Sequence, residues 1–504
     1  MRGKKLLKNI TFTLLYQIIA IASGFIMPKA IISHYGSSVN GLISSIAQFL
    51  AYIYIVEGGV SAIIKYLLYK PIAENNKNEI EKILKSAQKF LRHILYIYIA
   101  YVAILCIVYP QIVAESFDKH FTIILLIIIA ISRFSEYFMA MEYNLFIQSN
   151  QESYVLATIN SITVILNTII TILLIKLSCS IITVKIANTL VFIQRALTYK
   201  IYVKNKYKIN LSKKIEKYEI KQKRDAFAHQ IAYIIDTNID VVLITCVLGT
   251  TEVSVYTVYM LVIKGLKNIV SAITGGVDAT FGDMFAKKEY ENANRKFTIY
   301  QFMYFNIISI LYNLCLLLIV PFIQVYTNGI TDANYYRPVF AIIITLSEFV
   351  AAVKLPYDTL ISSIGHFKQT KKFAYTQAIV NVILSLVLIS KFGIIGVAIG
   401  TLVAVIYKTC VDIYYFSKNI IKRSLNIDLK FLALIFMQSI IIILFGKIMT
   451  NYYLVTGYFS WVVLAIKLGI MTAIIQIGTS FIFYKDLILN VIGKIKENKK
   501  ENSI

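Results

Sequence analysis

The stretch YIYIVEGGVSAIIKYLLYKP, Tyr52–Pro71, decides how this chain is organised. It is apolar enough to cross a bilayer, yet it carries Glu57 and Lys65, where an ionised side chain costs roughly 2.5–3.5 kcal/mol at mid-depth. Its centre, EGGVSA (Glu57–Ala62), returns later as TGGVDA (Thr274–Ala279), and the segment before it, YGSSVNGL (Tyr35–Leu42), returns as LGTTEVSV (Leu248–Val255). Gly36 maps to Gly249 at an offset of 213 and Gly58 to Gly275 at 217. The four-residue difference is about one helical turn, which a helix absorbs with little rotation of its face. Both copies run into a loop rich in basic, acidic and Asn residues, 70–89 and 287–296. We read the pair as an internal duplication.

Working outward, the 504 residues are 58% hydrophobic and 15% charged, with a mean hydropathy of +0.69, values of an integral membrane protein. Fourteen apolar stretches are long enough to span a hydrocarbon core: 9–33, 39–68, 91–114, 121–146, 153–176, 181–203, 227–248, 253–283, 298–326, 337–364, 373–390, 393–416, 429–450 and 459–484. Continuous runs without period-2 alternation argue against a barrel. The expected fold is all-α, with about 14 transmembrane helices in two pseudo-symmetric six-helix lobes plus two C-terminal helices. The expected boundaries are 1–203 for the first lobe, 204–226 for a basic linker, 227–417 for the second lobe and 418–504 for two added helices and a basic tail. Because each block begins in the same orientation, the halves should be related by an axis along the membrane normal, an arrangement that places substrate between them near mid-membrane.

The formal charge of +24 invites a nucleic-acid reading, and the distribution of that charge removes it. Of 51 Lys and Arg, 37 fall on one side of the predicted spans, while the opposite side holds Lys119, Lys176, Lys185, Arg337, Lys391 and Lys447. By the positive-inside rule both termini are cytoplasmic in a cell membrane. The opening MRGKKLLKNITFTLLYQIIAIASGF imitates a signal peptide, but its apolar run continues past Ala22. Five scattered cysteines suggest neither disulfides nor a thiolate site; five scattered His and the absence of a Walker-type run leave no metal or cofactor expected.

Eight basic residues lie within spans: Lys29, Lys65, Arg133, Lys264, Lys267, Lys354, Lys408 and Lys467. Embedded acids include Glu57, Glu136, Asp236, Asp240, Asp278, Glu348 and Asp358. Charges in the membrane must face water, partners or a ligand. Lys408 and Asp412 can pair or snorkel, and Lys354 and Asp358 flank Pro356 as either an ion pair or a substrate contact. Lys264 and Lys267 share one helix face with no acid beside them, so an anion should answer them. Lys29 after Pro28, Lys65 and Arg133 are further candidates for a diphosphate path, Arg133 alternatively pairing with Glu136. Asp236 and Asp240 form a carboxylate pair suited to proton exchange, or to structural pairing with Lys264 or Lys267. Glu57, beside two glycines, suits helix packing or capping.

The segments PKAIISHYGSSVNGLISSIAQFLAYIYIVEGGV (Pro28–Val60) with LYKPIA (Leu68–Ala73), and LPYDTLISSIGHFKQTKKFAYTQAIVNVILSLVLISKFGIIGVAIGT (Leu355–Thr401), resemble the Wzx-type polysaccharide-transport flippases. These sit in a superfamily with multidrug and oligosaccharidyl-lipid exporters. The resemblance implies two six-helix lobes in a V, a cationic central cavity, and transfer of undecaprenyl-diphosphate-linked repeat units from the inner to the outer leaflet for a capsule, exopolysaccharide or related glycan. Its implied partners are that lipid-linked oligosaccharide and membrane lipids, with a polysaccharide polymerase or other assembly protein left open. Lys29 stands where relatives often carry Arg, which keeps the charge and gives up the planar fork.

Three other readings compete. A cation-coupled multidrug exporter would need the embedded acids to dominate, and a peptidoglycan-precursor flippase is a close relative. A membrane glycosyltransferase or polymerase would need acid–base groups on outer loops, where Asp332 stands as a poor sole candidate. The expectation is therefore a transporter and not an enzyme.

Overall fold

The computed structural model describes residues 2–57, 60–209, 211, 224–274 and 277–501. The expected linker at 204–226 lies largely outside them, as do the side chains of Glu57, Glu136 and Asp278. The first half is α1 (Arg2–Tyr35), α2 (Ser37–Ala51), α3 (Tyr54–Glu57), α4 (Val60–Ala73), α5 (Lys77–Ile112), α6 (Lys119–Phe138), α7 (Met141–Ser149), α8 (Ser153–Lys176) and α9 (Ile181–Tyr207). The second is α10 (Arg224–Leu248), α11 (Thr250–Thr274), α12 (Val277–Ala286), α13 (Tyr290–Tyr326), α14 (Pro338–Ser363), α15 (Phe367–Phe392) and α16 (Ile394–Tyr415), which runs into a π-helical turn (Phe416–Ile421). Two more helices follow, α17 (Leu425–Asn451) and α18 (Tyr458–Glu501).

The all-helical expectation holds. Twelve helices among the described residues are long and apolar enough to cross a membrane. The windows at 39–68 and 121–146 differ from the expectation of single spans: among the described residues the first is broken at Tyr52–Ile53 and the second at Met139–Ala140. At the first break the Phe49 carbonyl accepts from the Tyr101 hydroxyl at 2.8 Å and from the Tyr52 N–H at 3.3 Å, in place of the helical bond that the break removes.

The duplication is visible in the joints. Residues with left-handed φ fall at Gly36 and Gly249, Asn75 and Lys288, Gln151 and Gly365, and Lys208 and Lys422. Asn75 N–H donates to Ile72 O and Asn76 N–H to Pro71 O; Lys288 and Glu289 repeat this with Phe285 and Met284. Gln151 and Glu152 do the same to Gln148 and Ile147, as Gly365 and His366 do to Ser362 and Ile361. Each is a Schellman-type end, in which one left-handed residue closes the helix and satisfies its last carbonyls.

By contact the chain forms two compact units, Met1–Thr257 with Gly329–Ala333, and Val258–Asn328 with Asn334–Ile504. In the first unit, cores form around Leu42, Ile46 and Tyr109, and around Ile64, Leu84 and Phe146. In the second, Phe297, Tyr357 and Phe416 centre a large aromatic core. There α17 and α18 are bound to α13 by amides: Gln476 donates to Asn306 at 3.0 Å and to Gln438 at 2.7 Å, and Gln438 donates to Ser480. Apolar faces point outward instead, as with Ile466, Ile470, Ile474 and Ile477 on α18. Polar groups inside and aliphatic groups outside is the pattern of helices packed in lipid.

Candidate functional site: charges within the helices

In the first unit Lys29 lies part-buried on α1, directly after Pro28. Lys65 on α4 reaches Gln148 Oε1 of α7 at 3.5 Å. Arg133 on α6 lines a 250 Å³ cavity with Lys185 of α9, and the amides of Asn167 and Asn188 complete its polar wall. The structure sets Lys65 beside Gln148 and Arg133 in the cavity lining, and places Lys185, read from sequence as an outer-side charge, among the embedded ones. The signal for Lys185 was present in Asn188 and Thr189, three and four residues on, which share its helix face.

The acids of α10 are held in a polar seam of the same unit. Asp240 is buried and accepts a hydrogen bond from the Tyr256 hydroxyl at 2.9 Å, with Asp236 part-buried one turn earlier. Along the seam Gln48 donates to Asn238, Ser45 and Thr245 share a bond of 2.7 Å, and Asn40 donates to Ser254 at 2.8 Å. Gly41 permits the approach: a Cβ there would stand 1.7 Å from the Thr250 carbonyl oxygen. Asp332 takes a structural part, accepting from the Ser37 backbone N–H at 2.6 Å and its hydroxyl at 2.8 Å at the start of α2.

In the second unit three of the embedded lysines find acids. Lys267 meets Glu348 of α14 at 3.0 Å, a partner distant in sequence and so invisible in the i, i+3 spacing with exposed Lys264. Lys354 lies 3.3 Å from Asp358, Lys408 lies 2.9 Å from Asp358, and Lys408 also pairs with Asp412. Pro356 sits inside this cluster without breaking α14, because the carbonyl its missing N–H would leave bare, Ala352 O, accepts from the Tyr304 hydroxyl at 2.8 Å. Lys467 lies over the Tyr453 ring at 4.9 Å. Among the described residues no group of His, Cys, Asp and Glu could hold a metal ion.

No family model matches the sequence, and no curated protein does. Solved structures do match. One described as the lipid II flippase MurJ in an inward closed conformation shares 17% identity over 96% of this chain and 100% of that one, with a TM-score of 0.68. An inward-facing multidrug resistance MATE family transporter of the MOP superfamily shares 14% over 82% of this chain and 98% of that one, at 0.56. The Vibrio cholerae MATE transporter VcmN in its bent form shares 13% over 82% and 97%, at 0.52. At such identities the likeness is one of architecture: this chain has the fold of the MurJ and MATE transporters.

Proposed function

We propose that this protein is a flippase for polyprenyl-diphosphate-linked saccharides, carrying undecaprenyl-diphosphate-linked oligosaccharide units from the cytoplasmic to the outer leaflet by alternating access around a cationic cavity. One observation carries the reading. The embedded acids Glu348, Asp358 and Asp412 are engaged by lysines and Asp240 by a tyrosine, whereas Lys65 has only the neutral Gln148 amide within reach among the described residues. A site for cationic drugs needs available carboxylates; a diphosphate needs available cations. Lys65 is the residue we assign to that path first, and Lys29 and Lys264, which make other interactions in this structure, would join it by exchanging them for substrate. Lys267 and Lys354 would join it only by exchanging Glu348 and Asp358 for substrate, a change that could couple binding to movement.

The likeness to a lipid II flippase over 96% of this chain supports a lipid-linked substrate and favours one second reading, a peptidoglycan precursor. In either case the lobes 1–203 and 227–417 would rock, parting the seam of α2 with α10 and α11.

The test is movement between leaflets in proteoliposomes, scored for a polyprenyl-diphosphate oligosaccharide and for lipid II. Wild type should move one of them, and Lys65→Ala with Lys264→Ala should slow it at least tenfold with folding intact. Movement of neither, alongside proton- or sodium-driven efflux of organic cations, would overturn the flippase reading.

A further inference from the structure

The cavity between α6, α8 and α9 has a composition that the transport path does not require. Its volume is 250 Å³, and Arg133, Lys185, Ser132, Asn167, Asn188 and Thr189 supply its polar lining beside aliphatic and aromatic side chains from α1, α2 and α9. Asn167 is 7% exposed, and its carbonyl oxygen has no hydrogen-bond partner, while its amide nitrogen meets only the Met27 sulfur at 3.7 Å. A buried amide oxygen without a donor is destabilising, because it gives up its bond to water and gains none in return. Rotating the amide by half a turn, which exchanges two groups of nearly equal shape, would turn its N–H donors into the cavity. Asn188 and Thr189 are otherwise engaged: the Asn188 oxygen accepts from Thr171 at 3.1 Å, and the Thr189 hydroxyl bonds backbone carbonyls.

Lys185 lies in the first two turns of α9, within a membrane-spanning helix, and no carboxylate among the described residues pairs with it. Arg133 makes other interactions, and the Lys185 ammonium is the one positive charge of the lining that no described group is seen to answer. One negative charge of small size balances that, held by the Lys185 ammonium, a guanidinium face and the turned Asn167 amide.

We propose that this cavity is a binding site for a small monovalent inorganic anion of halide size, distinct from the lipid path and resident within the first unit. A diphosphate bearing a polyprenyl tail and a glycan carries more charge than the site balances. The inference stands whether or not the flippase reading does, since it concerns a counter-anion and not cargo.

The experiment uses the full-length protein in detergent at constant ionic strength, replacing gluconate by chloride or bromide and following thermal unfolding together with the line width of the bromide nuclear resonance. Wild type should show saturable stabilisation and line broadening at millimolar halide. Lys185→Met and Asn167→Leu should weaken apparent affinity at least tenfold, while Lys176→Met, on the exposed end of α8, should not change it. Equal halide effects in wild type and Lys185→Met, or none in wild type, would overturn the assignment. Displacement of bromide by methylene diphosphonate at lower concentration than by chloride would also overturn it, because the pocket would then belong to the lipid path.

Discussion

Asn167 on α8 and Asn381 on α15 stand at the same register of the two repeats, at the same offset of 214 as the joints Gln151 and Gly365, and both are buried. Their surroundings differ. The Asn381 oxygen accepts from Ser385 at 3.1 Å and from Thr401 at 3.2 Å, and α16 closes onto α15 through Gly396 and Gly400, where a Cβ would lie 2.3 Å from the Leu388 carbonyl oxygen and from the Ser385 hydroxyl. Neither α8 nor α9 contains a glycine; Asn167 keeps an unanswered oxygen, and the space holds Lys185 and Arg133. The joints impose the same path on both copies, while the residues facing across each helix pair decide whether the gap is dry and tight or polar and open.

The polar clusters at the ends of α9 and α16 offer the largest test of that contrast. After Lys422, Arg423 and Asp428 form a buried ion pair, and Asp428 also accepts from Tyr357 at 2.8 Å, Gln301 at 2.9 Å and Ser417 at 2.7 Å. Near Lys208, Glu152 instead accepts from Lys206 at 2.7 Å and Tyr202 at 2.8 Å, with Lys5 3.8 Å away and both lysines partly exposed to solvent. Arg423→Ala should cost about 3–5 kcal/mol at neutral pH, since it strands a buried carboxylate. Glu152 behaves differently. Burial acts to raise its pKa, but hydrogen bonds from Lys206, Tyr207 and Tyr202 outweigh it and hold the group below its ordinary 4.5. Its stabilisation is therefore complete above about pH 4.5 and is lost as pH falls through the lower folded value. Glu152→Gln should flatten the acid limb of stability measured by far-UV circular dichroism in detergent, and Arg423→Ala should cause the larger loss at neutral pH. The reverse pattern would break the comparison.

A smaller effect separates the helix pairs themselves. Gly400→Ala drives a methyl group against the Ser385 backbone as well as its hydroxyl and should destabilise by about 2–3 kcal/mol. Lys185→Ala, which only enlarges a cavity already present, should change stability by less than about 1 kcal/mol in halide-free buffer. Comparable losses in thermal unfolding would mean that the first repeat is packed as tightly as the second.

Much of this was legible in the sequence. Hydropathy and the matched motifs gave the helices and the repeat, and Gly36 and Gly249 sit in both motifs because each joint needs a left-handed residue. The broken helices at 52–53 and 139–140 carry no proline and were hidden, because their breaks depend on packing. Ion pairs at i, i+4, such as Lys354 with Asp358, could be read from spacing; Lys267 with Glu348, or Lys408 with Asp358, could not, because only the folded chain brings residues that far apart in sequence together. The cavity escaped for the same reason, being lined by five helices.

The smallest effect concerns the joints, and it bears on why the repeats differ where they seem most alike. Gln151 and Gly365 close equivalent helix ends, with φ of 58° and 77°, and both are exposed, so neither position confounds backbone strain with packing. A side chain in the left-handed region costs roughly 1–2 kcal/mol, partly offset because glycine gives the unfolded chain more freedom to lose. Gly365→Gln should therefore lower stability by about 1 kcal/mol, and Gln151→Gly should raise it by a similar or smaller amount, both read from thermal unfolding in one detergent. If Gln151→Gly instead destabilises, the glutamine side chain supplies an interaction that outweighs its strain, and the first repeat's joint is held by chemistry that the second has replaced with backbone freedom.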